Sequence, residues 1–404
     1  MKPVGIICEY NPFHMGHKRQ IDILRGMGFD CIVCVMSGNF TERGELAMFD
    51  KYTRAKCAVL GGADLVLELP FPYSSLSAEG FAAAGVHILA SLGIQNISFG
   101  SECANEALLQ RAAQAIATDR FIEIYKEKQK KSPIGSAKSY FDAIGEVLGE
   151  DVSLLSNDIL AISYIRAINR FGCDMNIVPI KRQGLGYNDT ELRIDSLPSA
   201  SAIRAAIAQE KNGASAIKGH TPDEVLIEIE GSISKGLAPA ALSNIGREVH
   251  SFFKLMTPSE IQSRVVARSG GCVIAQDGCG IVERLCNSAR TSGNFDEFIC
   301  GAYNSKYTNA RINRVILFSL LGVSDAAADS LPEYSTLLAA STSGRALLSS
   351  LRKIDGLAIV TKPADAPDCT QTAICRAADE LYSSALPEST CTDMFVKCKP
   401  YMQD

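Results

Sequence analysis

The feature that most constrains the fold is a repeated alternation of short β-rich runs with helical stretches over the first 210 residues. This order is typical of βαβ units, in which each helix returns the chain to begin another parallel strand. The predicted strands are residues 4–9, 31–36, 64–69, 97–99 and 175–180. The predicted helices are residues 18–27, 54–60, 78–92, 159–170 and 201–209. The sequence therefore predicts an α/β fold built on a parallel sheet.

The pattern of predicted secondary structure changes after this region. Regular alternation stops, and small residues mix with helical periodicity. We predict one domain over residues 1–211, with a helical insertion at about 120–150, followed by a mainly α-helical domain over residues 225–404. Residues 212–225 are interpreted as the linker, and a short strand is expected at 357–360 inside the second domain.

Composition and charge exclude several classes of protein. The 404 residues are 47% hydrophobic and 21% charged, which is the usage of a globular chain. No apolar run reaches the roughly 18 residues of a membrane helix, and the start lacks a secretory signal, so we expect a cytoplasmic protein without a membrane partner. A net charge of −5 excludes coating of nucleic acid through bulk charge but permits a local basic patch. The 14 cysteines are interpreted as reduced thiols.

The run EYNPFHMGH, at residues 9–17, follows the first predicted strand and leads into a helix. Ligands of open parallel sheets bind beyond the carboxyl ends of the strands, where helix N-termini offer N–H groups to phosphate. His14 and His17 can each donate a hydrogen bond to phosphate oxygens, and Gly16 leaves room for close approach. Pro12 fixes the entry to the turn. The motif therefore predicts a nucleotide site.

Ordinary loop histidines and metal ligands are the two other interpretations of this pair. The chain has five histidines, and two of them fall within this short run. Glu9 is the one nearby candidate for completing a metal-ligand set, and no cysteine stands at a suitable spacing. The sequence therefore favours phosphate binding over a metal site.

A strand, then H-x-G-H, then a helix resembles the nucleotidyltransferase superfamily, whose members use ATP to adenylate a substrate and release pyrophosphate. That superfamily carries a second motif, rich in Ser or Thr and ending in Ile-Arg, at the start of a later helix. Residues 199–204 read SASAIR at the matching place. The resemblance implies a Rossmann-like nucleotidyltransferase domain in which Ser201 and Arg204 hold the β- and γ-phosphates. Taken alone, the serines of this motif could simply cap a helix, and Arg204 could be a solvated helix residue.

Longer stretches resemble the bacterial tRNA(Met) cytidine acetate ligase family over nearly the whole chain. They include VGIICEYNPFHMGH, MSGNFTERGELAMFDKYTRA, GADLVLELP, FGSE, SNDILAISYI, KRQGLGYND and SKYTNARINR. Met15 and Glu42 stand where the family pattern has Asn and Gln. The resemblance implies that ATP, accompanied by Mg²⁺, activates acetate as acetyl-adenylate. The acetyl group would then pass to the N4 amine of the wobble cytidine in elongator tRNA(Met), and no obligate protein partner is evident.

The same resemblance implies site residues by position. The expected catalytic residues are His14, His17, Lys18, Ser201 and Arg204. The expected ATP contacts are Ile7, Cys8, Glu9, Tyr10, Asn11, Pro12, Phe13, His14, Met15, Gly16, His17, Lys18, Arg19, Gln20, Gly100, Asn157 and Arg182. Three of these residues also fit simpler structural roles: Gly100 could only shape a turn, Asn157 could be a helix N-cap, and Arg182 could be a surface charge. No protein metal site is expected, and no residue stands out as the base for acetyl transfer.

Two basic clusters are candidate RNA contacts, with solvated helix faces as the alternative for both. The insertion carries Lys126, Lys128, Lys130, Lys131 and Lys138, and a later stretch carries Lys306, Arg311 and Arg314. The loop GNFTERGE, residues 38–45, is interpreted as a cover over the acyl-adenylate, as an RNA contact, or as a mobile surface loop.

Two other functions share part of this pattern. A compact adenylyltransferase acting on a small phosphorylated cofactor precursor would carry both motifs, but the long carboxyl-terminal half argues against it. A non-catalytic RNA-binding protein with a retained nucleotide fold is the second alternative, and the two intact histidines argue against that. We therefore predict an ATP-dependent ligase that acetylates tRNA.

Overall fold

A computed structural model of the chain describes residues 1–130, 137–182, 199–209, 215–264, 280–304, 306–351, 357–362, 365–388 and 398–403. Within these residues, eight strands form one sheet. They are β1 Pro3–Cys8, β2 Cys31–Ser37, β3 Leu65–Leu69, β4 Asn96–Ser101, β5 Asn176–Lys181, β6 Tyr334–Ala340, β7 Ala358–Val360 and β8 Tyr401–Met402.

The first five strands are parallel and lie in the order β5-β4-β1-β2-β3. The chain therefore builds outward from β1 through β2 to β3, and then resumes on the other side of β1 with β4 and β5. Such a reversal opens a crevice at the carboxyl ends of the central strands, which is where open α/β sheets bind ligands. The order of the strands thus places the predicted nucleotide motif, which follows β1, at this crevice.

Helices cover both faces of the sheet, and the expected α/β class is confirmed. Within the described residues they are α1 Met15–Gly26, α2 Lys51–Leu60, α3 Ala78–Ser91, α4 Glu106–Ile116, α5 Asp119–Gln129, α6 Ala137–Leu148, α7 Ser156–Phe171, α8 Ala200–Gln209, α9 Asp223–Ser234, α10 Gly246–Leu255, α11 Pro258–Arg264, α12 Gly280–Thr291, α13 Phe295–Ala302, α14 Asn309–Leu321, α15 Asp325–Asp329, α16 Thr342–Leu351 and α17 Thr370–Ser384. None of these helices is long and apolar enough to cross a membrane.

The hydrophobic core lies on the two faces of the sheet. Helices α1, α2, α8 and α9 pack on one face, and α3, α4 and α7 pack on the other. Cys31 and Cys286 belong to one apolar cluster, and Cys34 and Cys57 to the other. All four are buried free thiols, as the sequence predicts for reduced cysteines that fill space.

Predicted and observed helices of the first half differ most at three helix starts. Helices α1, α2 and α7 begin at residues 15, 51 and 156, where the apolar pattern predicts 18, 54 and 159. The starts of α1 and α2 are set by caps rather than by periodicity, since Asp50 accepts the N–H groups of Tyr52 and Thr53 at 2.8 and 3.0 Å, and His14 caps α1.

The second half of the chain also contributes to this sheet. β6 pairs antiparallel with β3, and β7 and β8 pair with β6. Only a strand near β7 is predicted from the sequence, whereas β6 is missed because YSTLLAA lacks polar alternation and lies within a helical context. Of the predicted linker, residues 212–214 lie outside the described residues, and α9 begins at Asp223. Helices predominate in this half, but the sheet continues across the predicted linker.

The predicted insertion contains α5 and α6, which are joined by aromatic packing. The ring of Tyr140 lies edge-on to Phe121 and Tyr125, with centroids 5.5 and 5.6 Å apart. Residues 131–136, which include the candidate RNA contact Lys131, lie outside the described residues.

Gly344 provides a test of how tightly the second half is joined to the parallel strands. A Cβ atom at this position would lie 1.9 Å from the backbone oxygen of Asp64, just before β3. We expect Gly344→Ala to lower the free energy of unfolding by about 1–3 kcal/mol, because backbone cannot move aside as a side chain can. Gly231→Ala in α9 is the matched control: nothing lies within 4 Å of its Cβ position, so stability should rise by about 0.5–1 kcal/mol. Equal urea midpoints for the two variants would contradict this packing.

Candidate nucleotide site

The two motif histidines form the first turn of α1. His14 is the N-cap residue, and its Nδ1 accepts the N–H of Gly16 at 3.0 Å. The Nδ1 of His17 accepts the N–H of His14 at 3.3 Å, and the two rings stack with centroids 3.7 Å apart. Because Nδ1 is an acceptor in both rings, the neutral form of each carries its proton on Nε2. The turn thus presents two imidazole N–H donors side by side.

The surroundings keep both imidazoles neutral at physiological pH. Burial lowers the pKa of His14 to about 3, and the charges of Arg182 and Arg204 add to this effect. Burial also lowers the pKa of His17 well below its usual value, with His14 and Arg182 contributing. Both rings therefore offer neutral N–H donors rather than imidazolium charges.

Gly16 is required by the close approach of the turn to the His14 ring. A Cβ atom at this position would lie 2.8 Å from His14 Cε1. Behind the pair, His17 packs against the buried rings of Tyr10 and Phe13, with centroids 4.6 and 5.6 Å away. These contacts fix both imidazoles, while Tyr10 and Phe13, together with Ile7, belong to the core.

The second motif meets the first, as its order along the chain predicts. Arg204 of α8 donates from Nη1 to the carbonyl of Asn11 at 2.9 Å and from Nη2 to Ser201 Oγ at 3.3 Å. The Asn11 side chain in turn accepts the N–H of Met48 at 2.8 Å. Arg204 therefore joins α8 to the loop between β1 and α1.

Gly100, Asn157 and Arg182 also lie together, where β4 and β5 end and α7 begins. Arg182 Nη1 lies 3.5 Å from Asn157 Oδ1, and a Cβ atom at Gly100 would lie 3.2 Å from Arg182 Cγ. Glu102 accepts the backbone N–H of Asn157 at 3.1 Å and also bonds its side-chain amide. The N-cap of α7 is Leu155, so Asn157 is not the cap that its sequence context allows.

Other residues of the 7–20 run differ in their contacts and exposure. Gln20 donates to Ser98 Oγ of β4 at 3.2 Å, whereas Lys18 pairs with Asp22 along α1 and Arg19 is exposed. Two contacts come from the predicted linker: the carbonyl of His220 accepts the Met15 N–H at 2.9 Å, and Thr221 Oγ1 donates to the Phe13 carbonyl at 3.0 Å. No motif in the sequence marks these two residues.

Arg54 of α2 organises the strand ends, a role that its place in a helical pattern does not reveal. Its side chain is 1% exposed and donates to the carbonyls of Glu9 at 2.6 Å and Ser37 at 3.0 Å, and also to that of Gly38. It thereby holds the chain leaving β1 against the chain leaving β2.

The 38–45 loop is not a mobile surface loop. Asn39 accepts the backbone N–H of Lys51 and donates to Asp379 of α17, both at 2.8 Å. Lys51 Nζ lies 2.9 Å from Glu68 Oε1 and 2.8 Å from Asp379 Oδ2, in a cluster that is almost fully buried. The loop is therefore clamped between α2, β3 and a helix more than 300 residues away in sequence.

The candidate RNA contacts divide into buried and exposed groups. Lys126, Lys130, Lys138 and Lys306 are exposed, and Lys128 pairs with Glu146 at 2.9 Å. Arg311 and Arg314 are only 6% and 7% exposed, so they fit neither the predicted RNA contact nor the alternative of a solvated helix face. Arg314 Nη1 instead donates to the backbone carbonyl and the carboxylate of Glu42, at 2.9 and 3.1 Å. A count of charges along the sequence does not show that the two arginines point inward.

Comparison with known proteins agrees with this geometry. A family model described as HIGH Nucleotidyl Transferase matches residues 1–395. A curated tRNA(Met) cytidine acetate ligase of Thermosipho africanus is 32% identical over 90% of this chain and 85% of its own, and that of Acetivibrio thermocellus is 31% identical over 98% and 95%. The crystal structure of Thermotoga maritima TmcAL without ligand has a TM-score of 0.86, and the one bound with alpha-thio ATP has 0.84. Both are 28% identical to this chain and cover each chain completely. The chain therefore belongs to the tRNA(Met) cytidine acetate ligase family of HIGH nucleotidyltransferases.

Proposed function

We propose that this protein joins acetate to ATP as acetyl-adenylate and transfers the acetyl group to the N4 amine of the wobble cytidine in elongator tRNA(Met). The observation that carries the proposal is the stacked pair of neutral histidines beside Arg204, at the crevice beyond β1. The names of the curated relatives support acetate and a cytidine of tRNA(Met) as substrates, and the alpha-thio ATP bound by the Thermotoga protein supports ATP as the nucleotide.

In the first step an acetate oxygen attacks the α-phosphorus and pyrophosphate leaves. This reaction places one anion against another, so it depends on positioning and on donors aimed at the oxygens where charge grows. The Nε2–H groups of His14 and His17 are such donors, and they need no proton exchange because both rings are neutral. Arg204 and Ser201 would hold the leaving phosphates, and Gly100, Asn157 and Arg182 would border the adenosine.

Mg²⁺ is expected to arrive with ATP, held by its phosphate oxygens. Within the described ranges no group of three or more His, Cys, Asp or Glu side chains is placed to hold a metal ion.

The second step brings a cytidine of the anticodon loop to the same crevice. Sequence-specific recognition of RNA acts on unstacked bases of single-stranded loops, which fits an amine that must reach an acyl carbon. The exposed lysines Lys126, Lys130 and Lys306 are the candidates for holding the RNA backbone. Lys18, which is half-exposed beside the histidines, is proposed to act on the phosphates of ATP.

The test is to follow radiolabelled acetate into tRNA carrying an unmodified wobble cytidine, with ATP present, and to identify the labelled nucleoside after digestion. We expect N4-acetylcytidine, dependent on ATP, with one pyrophosphate released per acetyl group. A His14→Ala, His17→Ala protein should lose the label. His87→Ala, which changes a histidine of α3 beside Phe171, is the matched control. Label in a different nucleoside, or none from folded wild-type protein, would overturn the assignment.

A further inference from the structure

The acetyl-transfer step needs a group that accepts the proton of the attacking amine. As cytidine N4 bonds to the acetyl carbon, the bond from that carbon to the AMP oxygen breaks. AMP leaves with the electron pair, and one proton of the amine must go to a base. No motif in the sequence identifies this base, so it must be sought among the titratable groups at the carboxyl end of the sheet.

Most of these groups are unsuited to the role. His14 and His17 already use Nδ1 as an acceptor, and their pKa values are lowered too far for either neutral ring to take up a second proton. Burial raises the pKa values of Cys8 and Tyr10 well above their usual range, so neither is a thiolate or phenolate at neutral pH. The remaining candidates are carboxylates.

Almost every carboxylate near the crevice is already paired. The carboxylate of Glu42 pairs with Arg314, and that of Glu102 accepts from the side-chain amide of Asn157. Lys181 donates to the backbone carbonyl of Glu102. Asp158 accepts from Ser101 Oγ at 2.6 Å. The carboxylates of Glu68 and Asp379 pair with Lys51.

Glu9 is the exception. It follows β1 directly, it is partly exposed, and one oxygen accepts the N–H of Glu42 at 2.8 Å. Among the described residues its second oxygen has no hydrogen-bond partner, and no cation lies within ion-pair distance of it. From this geometry we infer that Glu9 is the general base that takes the N4 proton of the cytidine, an inference that rests on the proposed function.

The charges around Glu9 suit this task. Burial raises its pKa, Glu42 from the loop after β2 raises it further, and the Glu42 N–H, Arg204 of α8 and Arg54 of α2 lower it. The charge of Glu9 in turn helps burial to raise the pKa of Tyr164 in α7. A base accepts protons best when its pKa lies close to the working pH, so the upward shift favours catalysis. After transfer, Glu9 is neutral and AMP carries the additional negative charge.

A support holds Glu9 in place from the far half of the chain. The N–H that binds Glu9 belongs to a turn closed by the Gly44 N–H and the Thr41 carbonyl at 2.9 Å. Arg314 of α14 binds both the carbonyl and the carboxylate of Glu42 in that turn. Gly44 has a φ of +70° and packs directly on the Arg314 backbone. Arg314 is thus a positioning residue for the proposed base.

The test separates the two chemical steps in Glu9→Gln, which keeps the oxygen that accepts the Glu42 N–H. Acetate-dependent exchange of labelled pyrophosphate into ATP reports the first step, and single-turnover transfer from acetyl-adenylate to tRNA reports the second. Transfer should fall at least about 100-fold more than exchange, since general bases contribute roughly 10²–10⁴ in rate. Equal losses in both steps would assign Glu9 to nucleotide binding instead, and retained transfer would exclude it as the base.

A second variant provides a readout that a purely structural role would not change. Glu42→Gln keeps an oxygen for Arg314 but removes the negative charge that raises the pKa of Glu9. The transfer rate of the wild type should rise with pH through an apparent pKa above 4.5, and the variant should show this rise at lower pH. An unshifted profile would contradict the inference. If the wild type shows neither exchange nor transfer, the proposed function itself fails.

Discussion

Replacing both His14 and His17 by alanine is expected to lower the rate of acetyl-adenylate formation by about 1,000-fold or more. Each imidazole supplies one preorganised N–H donor, and removal of a single such donor from a reacting anion costs roughly 10²–10³ in rate. The measurement is acetate-dependent pyrophosphate exchange at saturating ATP. A fall of less than about tenfold would show that the stacked pair does not contact the reacting phosphate.

His14 also caps α1, so its structural and chemical roles need to be separated. Asparagine is a good N-cap, and His14→Asn should keep the helix start but lose the Nε2–H donor. We expect His14→Asn to unfold at the wild-type urea concentration and yet to lose the exchange activity. His14→Ala should lose both activity and about 1 kcal/mol of stability. If His14→Asn kept its exchange activity, His14 would serve only as the cap of α1.

The lowered pKa values of this pair also predict a pH dependence of stability. Unfolded histidines bind protons below about pH 6.5, whereas folded His14 does so only near pH 3. The unfolded state therefore binds more protons in this window, and the free energy of unfolding should fall as pH falls from 6.5. The double alanine variant should show a shallower decrease when urea unfolding is measured between pH 7 and pH 5.

Lys51→Met is expected to lower the free energy of unfolding by about 3–5 kcal/mol, because it leaves two buried carboxylates facing each other without a cation. Lys51, Glu68 and Asp379 are 2%, 4% and 3% exposed, so water cannot screen the repulsion. Burial already raises the pKa of Asp379 to about 6 despite the nearby ammonium group. Urea unfolding at pH 7.5 measures the loss.

Asp379→Asn is the matched comparison for Lys51→Met. It keeps the pair of Lys51 with Glu68, and the new amide oxygen still accepts from Asn39. The cost should be about 1–2 kcal/mol, typical of one buried hydrogen bond. If Asp379→Asn were as costly as Lys51→Met, the repulsion between the carboxylates would not be the dominant effect.

The parallel half of the fold was predictable because its strands and helices each have a recognisable pattern in the local sequence. Strands β1, β2 and β3 are apolar runs, buried on both faces, and helices follow them in order. His14, His17 and Arg204 were predictable because two short motifs stand in a fixed order along the chain. Their meeting then follows from parallel strands that end at one edge of the sheet.

What the sequence did not reveal depends on contacts between distant residues. Arg54 and Lys51 look like ordinary helix residues, and only the carbonyls and carboxylates around them show why they are buried. Asp379 lies 328 residues from Lys51, so no local pattern joins them. Arg314 was predicted as an RNA contact or a solvated charge, and its burial could not be foreseen because its partner, Glu42, comes from the distant loop after β2.

The most direct test of the central claim uses acetate labelled with ¹⁸O in both carboxylate oxygens. If an acetate oxygen attacks the α-phosphorus and the acyl carbon is later attacked by the cytidine amine, one ¹⁸O remains bonded to phosphorus. We expect AMP to gain one ¹⁸O for each N4-acetylcytidine formed, as measured by mass spectrometry. AMP without ¹⁸O, or ¹⁸O in inorganic phosphate alongside ADP, would contradict the acetyl-adenylate route.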